Sequence, residues 1–340
     1  MISGKIPNLG RLRCPIECLQ EELFFSLVDY RNNYFTSEGP NKIIEFYNGF
    51  ENRDQLIQWM RERPKGVSYV HEVEGDKEII VVIPTADFKG KYAKECRENI
   101  FKGLHMVFVE SGGREDFYFN IAHNVNVGIR KAMEYKPKWI VVSNDDMDKI
   151  DDISVLKNEL KKLDSDRFSM ALPVETNYHS VITRLSMARF IRSLFSLLNF
   201  ARKHRKEGSL MNIIRFKYSQ TYFENKFGCL YIPNSPKGLN KFLYGKGLNY
   251  LCFIDFVIFS ASFLKEFPDG IFDETFINAY EDHDVSLSFY LEKHNYTFID
   301  YQIADYIGSS LGTGVVRELR NTASLSFLNY KYEKSISKVV

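Results

Sequence analysis

Three short apolar runs, separated by helical patterns, restrict most strongly what this chain can fold into. The runs are IIVVIPT at 79–85, HMVFVES at 105–111 and WIVVSNDDM at 139–147. Their β-branched, nearly continuous apolar character is typical of parallel strands buried on both faces. Helical spacing fills the stretches between them, at about 90–102 and 118–134. This alternation predicts an α/β protein with a doubly wound, mostly parallel sheet flanked by helices.

The 340 residues are enough for about two domains. We expect a mainly helical N-terminal extension over 1–77, an α/β domain over 78–310 and a C-terminal tail over 311–340. Residues 176–250 show few clear periods and interrupt the α/β pattern, which indicates an insertion or a subdomain. Regular patterns return with the apolar run that begins at Leu251.

Composition and charge exclude several classes of protein. The chain carries 45 Lys and Arg against 44 Asp and Glu, so it has no broad basic surface for nucleic acid. Five scattered cysteines do not form the disulfide framework of a small secreted module, which favours a reducing compartment. The first residues lack the apolar core of a signal peptide. The longest apolar stretch, 251–264, contains Asp255 and is shorter than the ~20 residues of a spanning helix. We therefore expect a cytoplasmic protein.

An acidic pair follows the third apolar run, in the sequence Asn144-Asp145-Asp146-Met147. Ligands of open parallel sheets bind outside the carboxyl ends of the strands, so both carboxylates are expected at such a crevice. Mg²⁺ and Mn²⁺ prefer oxygen ligands of this kind and are often held together with substrate phosphates. The alternative is that the pair caps the helix expected after residue 151.

A second acidic cluster, Glu281-Asp282-His283-Asp284, begins a segment with helical periodicity. Acidic residues in a first turn are stabilised by the helix dipole, which accounts for one carboxylate. Three carboxylates within four residues repel one another, and this repulsion raises at least one pKa toward the value of a useful general base. The cluster is thus a candidate catalytic site.

Glu110 ends the second apolar run, where a carboxylate can accept hydrogen bonds from a nucleobase imide or a ribose hydroxyl. The glycines that follow, Gly112 and Gly113, are typical of an ordinary turn from strand to helix. No GxGxxG follows a strand and no GxxxxGK[ST] is present, so the usual dinucleotide and P-loop patterns are missing.

Five motifs in a fixed order resemble family 2 of the glycosyltransferases, which have the GT-A fold. They are IIVVIPT, VFVESGG, NVNVGIRKA, WIVVSNDDM and FDETFINAYEDHDVSLSF. The resemblance covers about 79–305 apart from 176–250. It implies an inverting enzyme that moves a sugar from a nucleotide-sugar donor to a hydroxyl acceptor, with Mn²⁺ or Mg²⁺ as cofactor.

The resemblance also implies roles for individual residues. Asp282 would be the general base, with Glu281 and Asp284 as the next candidates, and Asp146 would hold the metal. A UDP-sugar is favoured over a GDP-sugar because a carboxylate at Glu110 can accept from the imide of uracil. The remaining donor-binding residues would be Pro84, Thr85, Asp87, Glu110, Asn126, Gly128 and Asp145.

The chain departs from the family at one point. The family often supplies a histidine as a second metal ligand after the strand that follows the acidic helix, whereas this chain reads ADYIGSSLG at 304–312 and has no histidine beyond His294. Asp305 is a substitute candidate. Two alternatives therefore stay open: a catalytically degenerate module that binds nucleotides or carbohydrates, and a sugar-phosphate nucleotidyltransferase.

The acceptor is expected beside residues 176–250, which are rich in tyrosine and phenylalanine. Within them, 184–206 combines an apolar stripe of helical spacing with basic residues and ends in RKHRK. Such a helix either packs on its own domain or lies on anionic lipid. The second alternative suits a lipid-linked acceptor at the inner membrane surface, and the first suits a soluble glycan.

Overall fold

The computed structural model describes residues 39–112, 118–174, 179–184, 197, 200–202, 209–234, 247–253, 255–305 and 314–338. Its helices are α1 (Pro40–Asn48), α2 (Arg53–Glu62), α3 (Lys91–Glu95, continued by a π-helical turn at Cys96–Ile100), α4 (Ile121–Met133), α5 (Ile153–Lys161), α6 (Leu210–Lys226), α7 (Ala261–Leu264), α8 (Glu281–Glu292) and α9 (Gly314–Ile336). Its strands are β1 (Tyr69–Val73), β2 (Asp76–Thr85), β3 (Leu104–Glu110), β4 (Trp139–Ser143), β5 (Met147–Lys149), β6 (Met170–Pro173), β7 (His179–Arg184), β8 (Tyr231–Asn234), β9 (Gly247–Leu251), β10 (Phe256–Ser260), β11 (Tyr296–Ile299) and β12 (Ile303–Asp305).

A seven-stranded sheet in the order β1-β3-β2-β4-β10-β6-β11 forms the centre of the fold. Five strands run in one direction, while β1 and β10 run in the opposite direction. Helices flank this sheet. The predicted α/β class with a mixed, mostly parallel sheet is therefore confirmed.

The apolar run of β2 is buried because both faces of the sheet are covered. Successive side chains of a strand point to opposite faces. Val81 and its alternate neighbours pack with α3 and α5 in one core cluster, whereas Val82 packs with α4 in another. At Gly128 of α4 the helix lies so close that a Cβ atom would stand 2.4 Å from Cγ1 of Val82.

A third core cluster joins the two ends of the described chain. Residues of α1, α2, α6 and α9 pack together in it, with Leu287 of α8. The hydroxyl of Tyr47 on α1 donates to the carbonyl oxygen of Arg320 on α9 at 2.6 Å. Residues 314–336, expected as part of a tail, thus form a largely buried helix. Residues 69–73, expected within a helical extension, form β1 and pair with β3.

Two further sheets differ from the sequence expectations. The strand expected over 139–147 ends at Ser143, and β5 starts separately at Met147 and pairs with β12. The described part of 176–250 contains α6 and a three-stranded sheet, β8-β7-β9. Arg184 ends β7, while most of 185–206, including the expected amphipathic helix, lies outside the described residues.

The chain path creates a crevice at the carboxyl ends of β2, β3 and β4. From β2 the chain crosses through α3 to β3 on one side of β2, and from β3 it returns through α4 to β4 on the other side of β2. Such a reversal of direction opens a gap between the strand ends, where ligands of α/β sheets bind. Within the described ranges, no helix has the length and apolar character required to cross a bilayer.

Candidate active site at the carboxyl ends of the strands

One pocket brings the strand ends and the acidic helix together. Its cavity volume is about 40 Å³, and the space between the lining atoms reaches about 400 Å³ when open solvent is included. Pro84 at the end of β2 and Asn144 after β4 form one part of its wall, and Glu281 and Asp282 of α8 form another. The other lining residues are Ile121, Ala122, Val125, Val142, Phe253, Asp255, Phe256, Val257 and Phe272. The acidic cluster and the loop after β4 therefore share one cavity. Their nearest lining residues, Asn144 and Glu281, are 137 positions apart in the sequence.

Asp145 is held beside the end of β2 by Thr85. The hydroxyl of Thr85 donates to Oδ2 of Asp145 at 2.6 Å, and the backbone oxygen of Asp145 accepts from the Cys96 thiol at 3.3 Å. Burial, together with the charge of Asp146, raises the pKa of Asp145 to about 6 against the opposing effect of the Thr85 hydrogen bond. Two carboxyl groups are thus forced together next to the crevice.

The donor set at Asp145 and Asp146 fits a hard divalent cation. Both groups offer carboxylate oxygens, and a cation between them would relieve the repulsion that raises the pKa of Asp145. The capping alternative is not what the structure shows, because α5 is capped by Asp152, which accepts from the Ser154 N–H at 3.0 Å. The side chain of Asp305 and residues 306–313 lie outside the described part of the chain.

Glu281 and Asp282 begin α8 directly after a backbone outlier. Tyr280 has φ +68°, in the left-handed region that non-glycine residues seldom occupy and that often marks functional sites. Burial, together with the charge of Asp282, raises the pKa of Glu281 to about 8. Oε2 of Glu281 is sealed from solvent and has no hydrogen-bond partner among the described residues. The protonated form of Glu281 is therefore favoured near neutral pH.

Asp284 does not belong to this pocket. Its carboxylate is buried and accepts from Lys331 Nζ at 2.9 Å and from the Tyr332 hydroxyl at 2.7 Å, both on α9. Burial raises the pKa of Asp284, while Lys331 acts in the opposite direction. The expectation that Asp284 stands beside Asp282 as a candidate base is therefore replaced by a structural role, in which Asp284 ties α8 to α9.

Glu110 lies at the end of β3 with a partner that the sequence analysis missed. Oε2 of Glu110 is 2.7 Å from Nε2 of His71 on β1, and the His71 ring stacks on Phe88 with centroids 4.3 Å apart. Arg97 lies over the Phe88 ring at 4.4 Å. Glu110 is thus a half-buried acceptor within an aromatic and basic surrounding. The register of β1 against β3 brings these two residues together. Tyr69 lies directly opposite Glu110, and His71, two positions further along β1, points to the same face of the sheet.

Among the residues assigned to donor or metal binding, Pro84 lines the pocket, whereas the others do not: Thr85, Asp87, Glu110, Asn126, Gly128, Asp145 and Asp146. Asp87 is exposed, and its carboxylate accepts from the Lys89 N–H at 2.8 Å. Asn126 is buried, donates to the carbonyl oxygen of Phe272 at 2.7 Å and accepts from the Phe272 N–H at 3.2 Å. Gly128 packs against β2. The Asn-x-Gly pair therefore fixes α4 against the sheet and the 272–274 loop.

Asp255 is a pocket residue that sequence reasoning did not assign to the site. Its Oδ1 accepts from the Asn144 side chain at 2.7 Å, and its carbonyl oxygen accepts from the Asn144 N–H at 3.0 Å. This double contact ties the loop after β4 to the start of β10. A carboxylate inside the apolar run LCFIDFVIFS was the available signal, because buried acids are rare unless they have partners.

Comparison with family models, with curated proteins and with solved structures gives no match to this chain.

Proposed function

We propose that this protein is an inverting, nucleotide-sugar-dependent glycosyltransferase of family 2 with a GT-A-type domain. The observation that carries the proposal is the shared pocket, in which Pro84 and Asn144 at the strand ends face Glu281 and Asp282 of α8. A transferase that displaces a nucleoside diphosphate needs a donor subsite and a base for the acceptor within one cavity. The order of the five sequence motifs adds support.

The strand ends form the donor subsite in this proposal. Glu110 accepts from the nucleobase, Asp145 approaches the ribose or the sugar, and Thr85 keeps Asp145 in place through its 2.6 Å hydrogen bond. Asp146, with Asp145, would hold Mn²⁺ or Mg²⁺, and a bound ion supplies Lewis-acid compensation of the charge on the leaving diphosphate. Asp87, Asn126 and Gly128 support the surrounding loop and helix.

Asp282 is the base for the acceptor. It accepts the proton of an acceptor hydroxyl while that oxygen forms a bond to the anomeric carbon. The bond from this carbon to the diphosphate oxygen breaks on the opposite face, so the configuration inverts. Because burial raises the pKa of Glu281 to about 8, Glu281 holds a proton at neutral pH, and we assign the role of base to Asp282 instead.

Release of nucleoside diphosphate from a panel of UDP- and GDP-sugars with Mn²⁺ tests the proposal. We expect turnover with at least one UDP-sugar. Asp282→Asn should lower the turnover rate by two orders of magnitude or more, because general-base catalysis contributes roughly 10²–10⁴-fold. Donor affinity should stay nearly unchanged, because the base acts on the acceptor. Asp146→Ala should weaken metal-supported donor binding instead. Asp148→Asn, at an exposed position on β5, is the matched control.

Three results would contradict parts of this assignment. Tight donor binding without turnover of any donor would favour a degenerate binding module. Formation of a nucleotide-sugar from a sugar phosphate and a nucleoside triphosphate would favour a nucleotidyltransferase. A near wild-type rate for Asp282→Asn would move the base to Glu281, since Asp284 is bound to Lys331 and Tyr332.

We also propose a lipid-linked acceptor presented at the cytoplasmic membrane surface. The supporting observation is α6, which leaves apolar side chains in solvent: Met211 is 74% exposed and Tyr218 is 72% exposed. Large apolar side chains with nearby basic residues suit an anionic lipid interface. Flotation with anionic vesicles should recover wild-type protein and lose Met211→Ser/Tyr218→Ser, whereas Tyr290→Ser on α8 should float normally. Equal absence of flotation would favour a soluble glycan acceptor.

A further inference from the structure

A second cluster with metal-ligating groups includes the proposed base, Asp282. Cys252 follows β9, and Asp282 and His283 begin α8. One ligand atom from each of these three residues lies within 4.8 Å of the other two. Thiolate, imidazole and carboxylate are the three side-chain ligand types that zinc uses in proteins. This group therefore differs from the carboxylate pair at Asp145 and Asp146 in chemistry as well as in position.

The distance between the soft ligands fits tetrahedral coordination. Sγ of Cys252 is 3.4 Å from Nδ1 of His283. Zn–S and Zn–N bonds of about 2.3 and 2.0–2.1 Å at a tetrahedral angle separate sulfur and nitrogen by about 3.6 Å. The sulfur and the nitrogen thus need to move apart by only about 0.2 Å to bind one ion. The Tyr250 hydroxyl lies 2.6 Å from the same Nδ1, and metal binding replaces this hydrogen bond.

The surroundings of the cluster favour a soft ion. Cys252 is fully buried, and its sulfur lies 3.4 Å from Nδ1 of His283, so both soft ligands are held together inside the protein. Asp282 lines the crevice, so an ion in the crevice can reach this carboxylate. Thiolate ligands select Zn²⁺ over Mg²⁺ or Mn²⁺, which prefer oxygen.

We propose that Cys252, Asp282 and His283 form a Zn²⁺ site that is separate from the Mn²⁺ or Mg²⁺ site at Asp146. Binding releases the thiol proton of Cys252 to solvent and leaves one coordination position for water or substrate. Zinc takes up the carboxylate of Asp282, so zinc inhibits the transferase while Mn²⁺ supports it. The inhibition rests on the proposed function, whereas the binding does not.

Cobalt substitution tests the site without any substrate. Co²⁺ replaces Zn²⁺ in tetrahedral sites, and a cobalt–thiolate bond gives a charge-transfer absorption in the near ultraviolet. The experiment uses full-length protein with Cys14→Ser/Cys18→Ser, because the Cys-x₃-Cys spacing of these two residues offers a competing thiol pair. We expect one equivalent of Co²⁺ with this absorption, displaced by one equivalent of Zn²⁺.

Two variants in the same background assign the ligands. Cys252→Ser should lose the absorption and weaken Zn²⁺ affinity by roughly tenfold or more. Cys229→Ser, at another buried cysteine, should keep both. Circular dichroism verifies folding, and His283→Gln, with the same expected affinity loss, replaces Cys252→Ser if that variant does not fold. The absence of Co²⁺ binding, or unchanged absorption in Cys252→Ser, would overturn the site.

Turnover measured with added zinc separates this inference from the proposed function. The zinc concentration that halves turnover should rise roughly tenfold or more in Cys252→Ser. Cobalt binding without turnover of any donor would support the metal site and contradict the proposed glycosyltransferase activity. If the protein binds cobalt through Cys252 but zinc does not inhibit turnover, the proposal that zinc coordinates the Asp282 carboxylate is wrong.

Discussion

Replacing Asp145 with asparagine should stabilise the metal-free protein. Asparagine keeps the shape of the side chain and an oxygen that accepts from the Thr85 hydroxyl at 2.6 Å. It removes a negative charge that burial and Asp146 both disfavour. The folded protein therefore carries an energetic cost at this position, as is common at functional sites.

The size and pH dependence of the gain follow from linkage. The pKa of Asp145 rises from 3.8 to about 6 on folding, so the folded state binds the proton more tightly than the unfolded state. The cost of the charge is absent below pH 3.8 and complete above pH 6. Linkage gives about 3 kcal/mol at pH 7.5 and about 1.5 kcal/mol at pH 5.

Urea unfolding at pH 7.5 and pH 5 in the presence of a chelator measures this difference. We expect Asp145→Asn to raise the free energy of unfolding at both values, and more at pH 7.5. Asp148→Asn, at an exposed position, should change it by less than about 0.5 kcal/mol. An equal gain at both pH values, or a larger gain at pH 5, would refute the reasoning.

Three further substitutions test the packing around the site, each by urea unfolding. Gly128→Ala should destabilise by about 1–3 kcal/mol, since the added methyl group meets Cγ1 of Val82 at 2.4 Å, and Val82→Ala in that background should restore part of the loss. Lys293→Gly should stabilise by about 0.5–1 kcal/mol because Lys293 ends α8 at φ +59°; a loss would show that its side chain matters. Lys331→Met should lower the free energy of unfolding by about 2 kcal/mol, because it leaves the buried carboxylate of Asp284 without its cation. Adding Asp284→Asn should recover part of this loss, and the absence of any recovery would contradict the ion pair.

The sheet was predictable because burial on both faces leaves a direct mark on the sequence. IIVVIPT has no polar residue before its end, and β2 is buried from Ile79 to Thr85. The crevice at the ends of the strands was predictable for the same reason, since topology places these ends together. The location of Asp145 and Glu110 at strand ends was predictable because each stands at the end of such an apolar run.

The partner of each carboxylate was not predictable, because partners come from elements distant in sequence. Asp284 is next but one to Asp282, yet it turns to α9, 47 positions further on. Asn126 matches a motif but bonds to the backbone of Phe272. Periodicity tells which face of a helix is apolar, whereas the packing of two helices decides where a polar side chain finds its partner.

The contact between α8 and α9 has a consequence for the order of events during biosynthesis. The ribosome completes the acidic turn of α8 before it makes Lys331 and Tyr332, which anchor Asp284. Until α9 has emerged, α1, α2 and α6 also lack a covering helix and expose the apolar residues of their shared cluster. The nascent chain therefore has an exposed apolar surface and an unanchored acidic turn at the same time. Chaperone binding during this interval, and its loss once α9 is released, would accompany the maturation of the site.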